Sequence, residues 1–161
     1  MKRLIVTMLG VGYLPASGTF ASLLTCLILL PILNNLAATQ FGHDAVALGG
    51  TIFFSILNVA LGPWAIQEFG DKDPSRFVLD EAAGICLTIL CLPAATGAVL
   101  IRQLGLAFLM FRIFDVTKPG PIRKLEKLPA GWGILMDDLG AAVCANIICQ
   151  LLIRLTPLFR S

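Results

Sequence analysis

Long apolar stretches, each closed by a short polar or Pro/Gly-containing break, set the pattern of this chain. Five segments emerge: Phe20 to Ala38, interrupted by Pro31 and Asn34–Asn35; Ala45 to Gly62; Ala82 to Leu92; Ala98 to Phe114, which carries Arg102 and Arg112; and Leu139 to Leu158, broken by Arg154 and Pro157. None alternates as a half-buried strand does, and each is too long or too evenly apolar for one, so helices are expected throughout. The third is about half the roughly 20 residues that a perpendicular crossing needs. It reads either as a half-span or as one limb of a bent hairpin that continues through Pro93. The predicted fold is all-α: a multi-pass membrane bundle of four to five apolar helices plus short interfacial helices, in a single domain over residues 1–161.

The breaks are of two kinds. Thr39–Asp44 and Pro93–Gly97 are short and carry no Lys or Arg, whereas Trp64–Glu81 and Arg112–Asp138 hold most of the charge. If every segment crosses or re-enters, these two loops share one face with Lys2 and Arg3, and the positive-inside rule makes that face cytoplasmic. Arg154 and Arg160 fall on the other side and run against the rule.

Composition agrees with a membrane protein. The chain is 57% hydrophobic and only 14% charged, with a mean hydropathy of +0.87; a soluble domain carries about 25% charge. The net charge of +2 comes from scattered residues with no basic block, so nucleic acid is not an expected partner. Cys26, Cys86, Cys91, Cys144 and Cys149 all lie in apolar segments without CxxC or Cys–His spacing, and are expected to be buried small hydrophobes. The first residues resemble a signal peptide only superficially, because Gly10, Gly12, Tyr13 and Pro15 interrupt the apolar patch and no small-residue cleavage site closes it. No cleavage is expected.

The acidic residues are less ordinary. Asp80–Glu81 immediately precede the third segment and Asp137–Asp138 the fifth, on the same predicted face. One carboxylate per helix suffices for capping; a second beside it is repelled unless a cation intervenes. Two readings stand: helix caps, or a site for a hard divalent cation such as Mg²⁺, which takes carboxylate oxygens and commonly partners a phosphate. Between the pairs lies FRIFDVTKPGPIRK, where Arg112 and Asp115 share a helix face and Lys118 and Arg123 flank a stiff Pro-Gly-Pro. These cations suit either a phosphoryl group or anionic lipid head groups. Near the N-terminus, Gly10, Gly12 and Gly18 followed by Thr19 offer backbone N–H groups that can cradle an anion.

Several phosphatase chemistries are excluded. His43 is the sole histidine, expected on a surface loop, so a two-histidine phosphatase does not fit. Cys149 and Arg154 are one residue too close for Cys-x5-Arg, and Asp71-Lys72-Asp73 has no strand before it. The membrane alcohol-phosphotransferase pattern is missing as well. Metal-dependent attack by water remains. Two other classes compete with it: a small cation transporter or channel subunit, which requires charge near mid-membrane, and a lipid-binding scaffold, which gives no reason for paired acids.

The blocks VLDEAAG (Val78–Gly84), FRIFDVTKPGPIR (Phe111–Arg123) and GWGILMDDLGA (Gly131–Ala141) resemble the signature of the phosphatidylglycerophosphatase A family in order and spacing, over nearly the whole chain. The resemblance implies a Mg²⁺-dependent, multihelical enzyme of the bacterial inner membrane. Its substrate would be phosphatidylglycerophosphate, dephosphorylated to phosphatidylglycerol in phospholipid biosynthesis. The family's acidic pattern falls on Asp80, Glu81, Asp115, Asp137 and Asp138, with Asp80, Glu81, Asp137 and Asp138 as metal ligands. Its basic pattern falls on Arg112, Lys118 and Arg123. In the N-terminal block the family usually reads A-P-G-T and then x-G-S; this chain has Ala16-Ser17-Gly18-Thr19 and then Phe20-Ala21-Ser22, matching at Gly18, Thr19 and Ser22.

Overall fold

The computed structural model describes residues 1–35, 39–71, 74–120, 122, 131–156 and 159. A short helix α1 (Lys2–Val6) and a 3-10 turn (Val11–Tyr13) lead into α2 (Ser17–Asn35), α3 (Gln40–Phe69), α4 (Leu79–Thr88), α5 (Gly97–Thr117) and α6 (Gly131–Leu155). No strand forms among the described residues, as the apolar pattern predicts. The helices α2, α3, α5 and α6 are long and apolar enough to cross a membrane.

The polar breaks are narrower than the sequence suggests. Thr39 is a helix N-cap rather than part of a loop: its hydroxyl accepts the Gly42 N–H at 3.1 Å, so His43 falls in the first turn of α3. There it is buried, with Nδ1 3.8 Å from Asp44 Oδ1, which corrects the expectation of a surface loop histidine. At its other end α3 runs through Pro63 to Phe69 and stops at Gly70, in the left-handed region at φ 73°. A proline removes only one hydrogen bond of the ladder. Beyond it Ala65 is buried and Trp64 packs edge-on against Phe69, so the helix continues past Gly62.

The third apolar segment is a half-span. Helix α4 has ten residues, about 15 Å at the usual rise. Eight of them are buried between the long helices, chiefly α3 and α6. Small side chains let neighbours approach closely: a Cβ on Gly84 would strike the Phe111 ring of α5, and one on Gly50 of α3 would strike Cys86 Sγ.

After Thr88 the backbone leaves the helix, turns through Cys91 at φ 59° and reaches α5 without continuing as a bent helix. Irregular backbone at membrane depth is tolerated only where its polar groups are satisfied, since each orphan costs on the order of several kcal/mol. Side chains from α2, α3 and α6 supply the partners. Asn146 Nδ2 donates to the carbonyls of Thr88 at 2.8 Å and Leu90 at 2.7 Å. Asp44 accepts from Cys91 N at 2.9 Å, Gln40 from Ala94 N at 2.9 Å, and Asn34 from Gly97 N at 2.8 Å. Cys91 is exposed and Cys144 half-buried, so only Cys26, Cys86 and Cys149 fit the expectation of buried cysteines.

Gly84→Ala should therefore overpack the α4–α5 contact and cost about 1–3 kcal/mol. A lower thermal midpoint in detergent is the expected result, with part of the loss recovered in the Gly84→Ala/Phe111→Leu double variant.

Candidate active site

Helices α2, α4 and α6 begin, and α3 and α5 end, at one end of the bundle. A cavity of about 440 Å³ lies there, lined by residues 14–18, by Pro74, Ser75 and Phe77, and by all five predicted acids together with Arg112 and Lys118.

Asp80 and Glu81 lie in the first turn of α4, whose N-cap is Val78 with no side-chain cap. Asp137 and Asp138 are further inside their helix than the sequence suggests: α6 begins at Gly131, so they stand near the end of its second turn. That position is too deep for capping, which acts on the first turn. Adjacent helix positions point about 100° apart, and the two aspartates divide accordingly. Asp138 joins Asp80 and Glu81, with ligand oxygens of all three within 4.8 Å of one another. Asp137 turns to Lys118 of the α5 terminus and forms an ion pair.

Asp80 and Asp138 are buried, and Glu81 Oε2 is buried with no hydrogen-bond partner. Burial pushes the Glu81 carboxyl above its ordinary range. The nearby Asp115 charge adds to the rise, and hydrogen bonding to Asp80 and the charge of Arg112 oppose it. Three converging acidic groups with an unsatisfied buried oxygen are a fit for a hard, oxygen-seeking cation.

The cations come from the end of α5. Arg112 is ion-paired to Asp115 one turn on, as the three-residue spacing predicts. Lys118 caps the helix in the left-handed region at φ 39°, its N–H on Phe114 O at 2.9 Å. That unfavourable backbone conformation, followed at once by Pro119, turns the chain and aims the ammonium at Asp137. Arg123 lies outside the described residues.

The N-terminal loop closes the remaining side. Gly18 packs so tightly that a Cβ would overlap Glu81 Oε1 and crowd Arg112 Nη1. Thr19 is half-buried in α2, outside the cavity lining, and Ser22 donates to Gly18 O at 2.8 Å. This loop is fastened to residues 74–78. Ser17 Oγ donates to Ser75 O, Val78 N donates to Val6 O at 3.1 Å, and the Arg76 guanidinium stacks 5.5 Å from Tyr13 and 5.7 Å from Phe69. Gly12 lies directly on the Arg76 carbonyl.

The family profile of phosphatidylglycerophosphatase A matches residues 4–153, which include every described site residue. The chain belongs to the phosphatidylglycerophosphatase A family. It is 32% identical over 139 residues to the phosphatidylglycerophosphatase A of Haemophilus influenzae (83% of this chain, 77% of the relative). To that of Escherichia coli K12 it is 28% identical over 118 residues (69% and 66%). A Bacteroides thetaiotaomicron protein with the provisional name phosphatidylinositol-3-phosphatase is 34% identical over 149 residues (90% and 89%). No solved structure matches the chain.

Membership makes the chain a phosphatase of the membrane. The residues that sequence reasoning missed are the neutral walls: Leu14, Pro15, Ser17, Pro74, Ser75, Phe77 and Ile134. Ser17 alone left a signal, as a departure from the family's N-terminal block. Gly18→Ala should displace Glu81 and Arg112 and reduce phosphatase turnover by about 10²-fold, the effect of a roughly 1 Å misplacement, while the detergent-solubilised protein keeps its helical circular dichroism.

Proposed function

We propose that this phosphatase hydrolyses phosphatidylglycerophosphate to phosphatidylglycerol and phosphate in phospholipid biosynthesis, with Mg²⁺, on the cytoplasmic face of a bacterial inner membrane. The observation that carries the reading is the meeting of Asp80, Glu81 and Asp138 with Arg112 and Lys118 in one cavity. The orientation is supported by Lys2, Arg3, Arg76, Arg112 and Lys118 at the site end, against Arg102 and Arg154 toward the other.

Asp80, Glu81 and Asp138 hold the cation. When bound, a hard divalent cation supplies Lewis-acid polarisation of water and of the phosphoryl oxygens. Arg112 and Lys118, already oriented by Asp115 and Asp137, meet the negative oxygens of the terminal phosphoryl group. Water attacks phosphorus in line with the departing glycerol oxygen; the new P–O bond forms as the ester P–O bond breaks. We assign Asp115, which is paired with Arg112 and lies beside Glu81 and Asp138, to take the water's proton, while the departing glycerol oxygen takes up a proton from solvent water and leaves as the alcohol.

The test is phosphate release from phosphatidylglycerophosphate by the purified protein, with phosphatidylinositol 3-phosphate and phosphatidic acid in parallel. Activity should require Mg²⁺ and vanish with chelator; metal-independent release sinks the mechanism. Asp138→Asn should abolish both turnover and binding of Mn²⁺ as a spectroscopic stand-in. Asp115→Asn should lower kcat by about 10²–10⁴-fold with Mn²⁺ binding retained. Phosphatidylinositol 3-phosphate as the better substrate would reassign the head group without touching the chemistry.

A pH dependence follows from Glu81. Its raised pKa means that protons compete with the cation until higher pH than for an ordinary glutamate, so lowering the pH should raise the half-activating Mg²⁺ concentration. Excess Mg²⁺ should shift the acid limb of the rate profile to lower pH. An acid limb indifferent to Mg²⁺ would exclude Glu81 as a ligand.

A further inference from the structure

We propose that Asn146, a polar residue of α6 remote from the cavity, is a positioning residue that sets the register of Asp80 and Glu81 against Asp138 and so tunes cation affinity; the inference rests on the metal site proposed above. Helices α4 and α6 touch at two levels. At one level Asp80 and Glu81 meet Asp138. At the other the Asn146 amide donates to Thr88 O at 2.8 Å and Leu90 O at 2.7 Å. Asp80 to Thr88 in α4 is eight residues, as is Asp138 to Asn146 in α6. The helices therefore run parallel, joined at points about 12 Å apart along both axes.

The two junctions act oppositely. The acidic one is repulsive until a cation occupies it. The amide one is attractive, because it satisfies carbonyls at the end of α4 that have left the helical ladder. At the start of α4 the Val78 N–H is held by Val6 O at 3.1 Å, and at its end the Asn146 amide ties it to α6. The buried residues of α4 include the small Ala82, Ala83, Gly84 and Cys86 beside the larger Leu79 and Ile85, and the Phe111 ring against Gly84 limits the approach of α5. Gln150 Nε2 donates to Asn146 Oδ1 at 2.8 Å, which points the amide nitrogen at α4. The arrangement also separates the functions of the helices: the cations Arg112 and Lys118 stand on α5 and its cap, so a shift of α4 alters the carboxylate group while leaving the phosphate contacts in place.

The experiment is Mn²⁺ titration of the full chain in detergent, followed by electron paramagnetic resonance, for the wild type, Asn146→Leu and Asn146→Ser. Affinity should fall in both variants, by less for Asn146→Ser and, for Asn146→Leu, which keeps no donor, by about tenfold, the scale on which supporting residues affect metal sites. At saturating Mg²⁺ the KM for phosphatidylglycerophosphate should stay at the wild-type value. Variants that melt earlier in chelator yet bind Mn²⁺ as the wild type does would reduce Asn146 to a structural role and overturn the proposal. If Asn146→Leu does not fold, Asn146→Ser and Gln150→Leu, which removes the bond orienting the amide, decide by the same comparison. A wild type that binds no Mn²⁺ overturns the metal site itself, an outcome distinct from equal binding by all variants.

Discussion

The oxygens of Asp80, Glu81 and Asp138 lie within 4.8 Å of one another in a chain with little charge to spare. At that separation an ionised pair repels by roughly 3–4 kcal/mol at an effective dielectric near 20, several times the roughly 1 kcal/mol that a helix cap contributes. Capping cannot explain the cluster. The cations at hand relieve it only in part, because Arg112 and Lys118 are also paired with Asp115 and Asp137. Among the described lining residues, five carboxylates face two cations. Fully ionised, the cavity would carry three negative charges before a phosphate dianion entered. A divalent cation, as proposed, would offset the repulsion and give the substrate something to approach.

The fold serves this constraint through a helix that does not cross. Helix α4 stops after ten residues, and the chain completes the passage as irregular backbone held by Asn34, Gln40, Asp44 and Asn146. A full-length helix could reach the same place without those polar anchors. The half-span instead brings its first turn, with Asp80 and Glu81, into the middle of the bundle, where Gly18, α5 and α6 surround it. Acidic charge elsewhere lies toward helix ends: among the described residues Asp44 is the fifth residue of α3, Glu68 lies in its last turn and Asp71 just beyond. A path for ions would need acids between these levels.

Much of this was legible in the sequence, for identifiable reasons. Apolar length alone separated helix from strand, and adjacent like charges beside apolar runs marked the acidic groups. What was hidden depends on tertiary contact. The start of α6 at Gly131, rather than at Leu139, could not be seen because Trp132 to Met136 read equally well as loop; only packing shows that Asp137 and Asp138 diverge around a helix already formed. Proline at position 63 suggested a stop that buried Ala65 overrides. His43 looked exposed because its neighbours are polar, yet Thr39 starts the helix early enough to turn it inward. The neutral walls carry no motif at all, since Ser75 and Phe77 are ordinary residues until the N-terminal loop is laid against them.

Those walls are where selectivity has to reside. The two names borne by the relatives, one for a glycerophosphate and one for a phosphoinositide, share a terminal phosphomonoester on a membrane lipid. Every charged side chain among the described lining residues belongs to the carboxylate group or to the pairs beside it, the part of the cavity that the proposed reading gives to that shared group. On the proposed reading, the part of a head group that differs between lipids would meet Leu14, Pro15, Ser17, Pro74, Ser75, Phe77 and Ile134 instead. The Ser17 hydroxyl is committed to the Ser75 carbonyl, which joins the two wall segments and withdraws one donor from the cavity. In the family pattern this position is a proline, which has no hydroxyl to make that tie. A difference in substrate choice between this chain and its relatives would therefore arise in how the walls are fastened together, with the phosphate chemistry held constant.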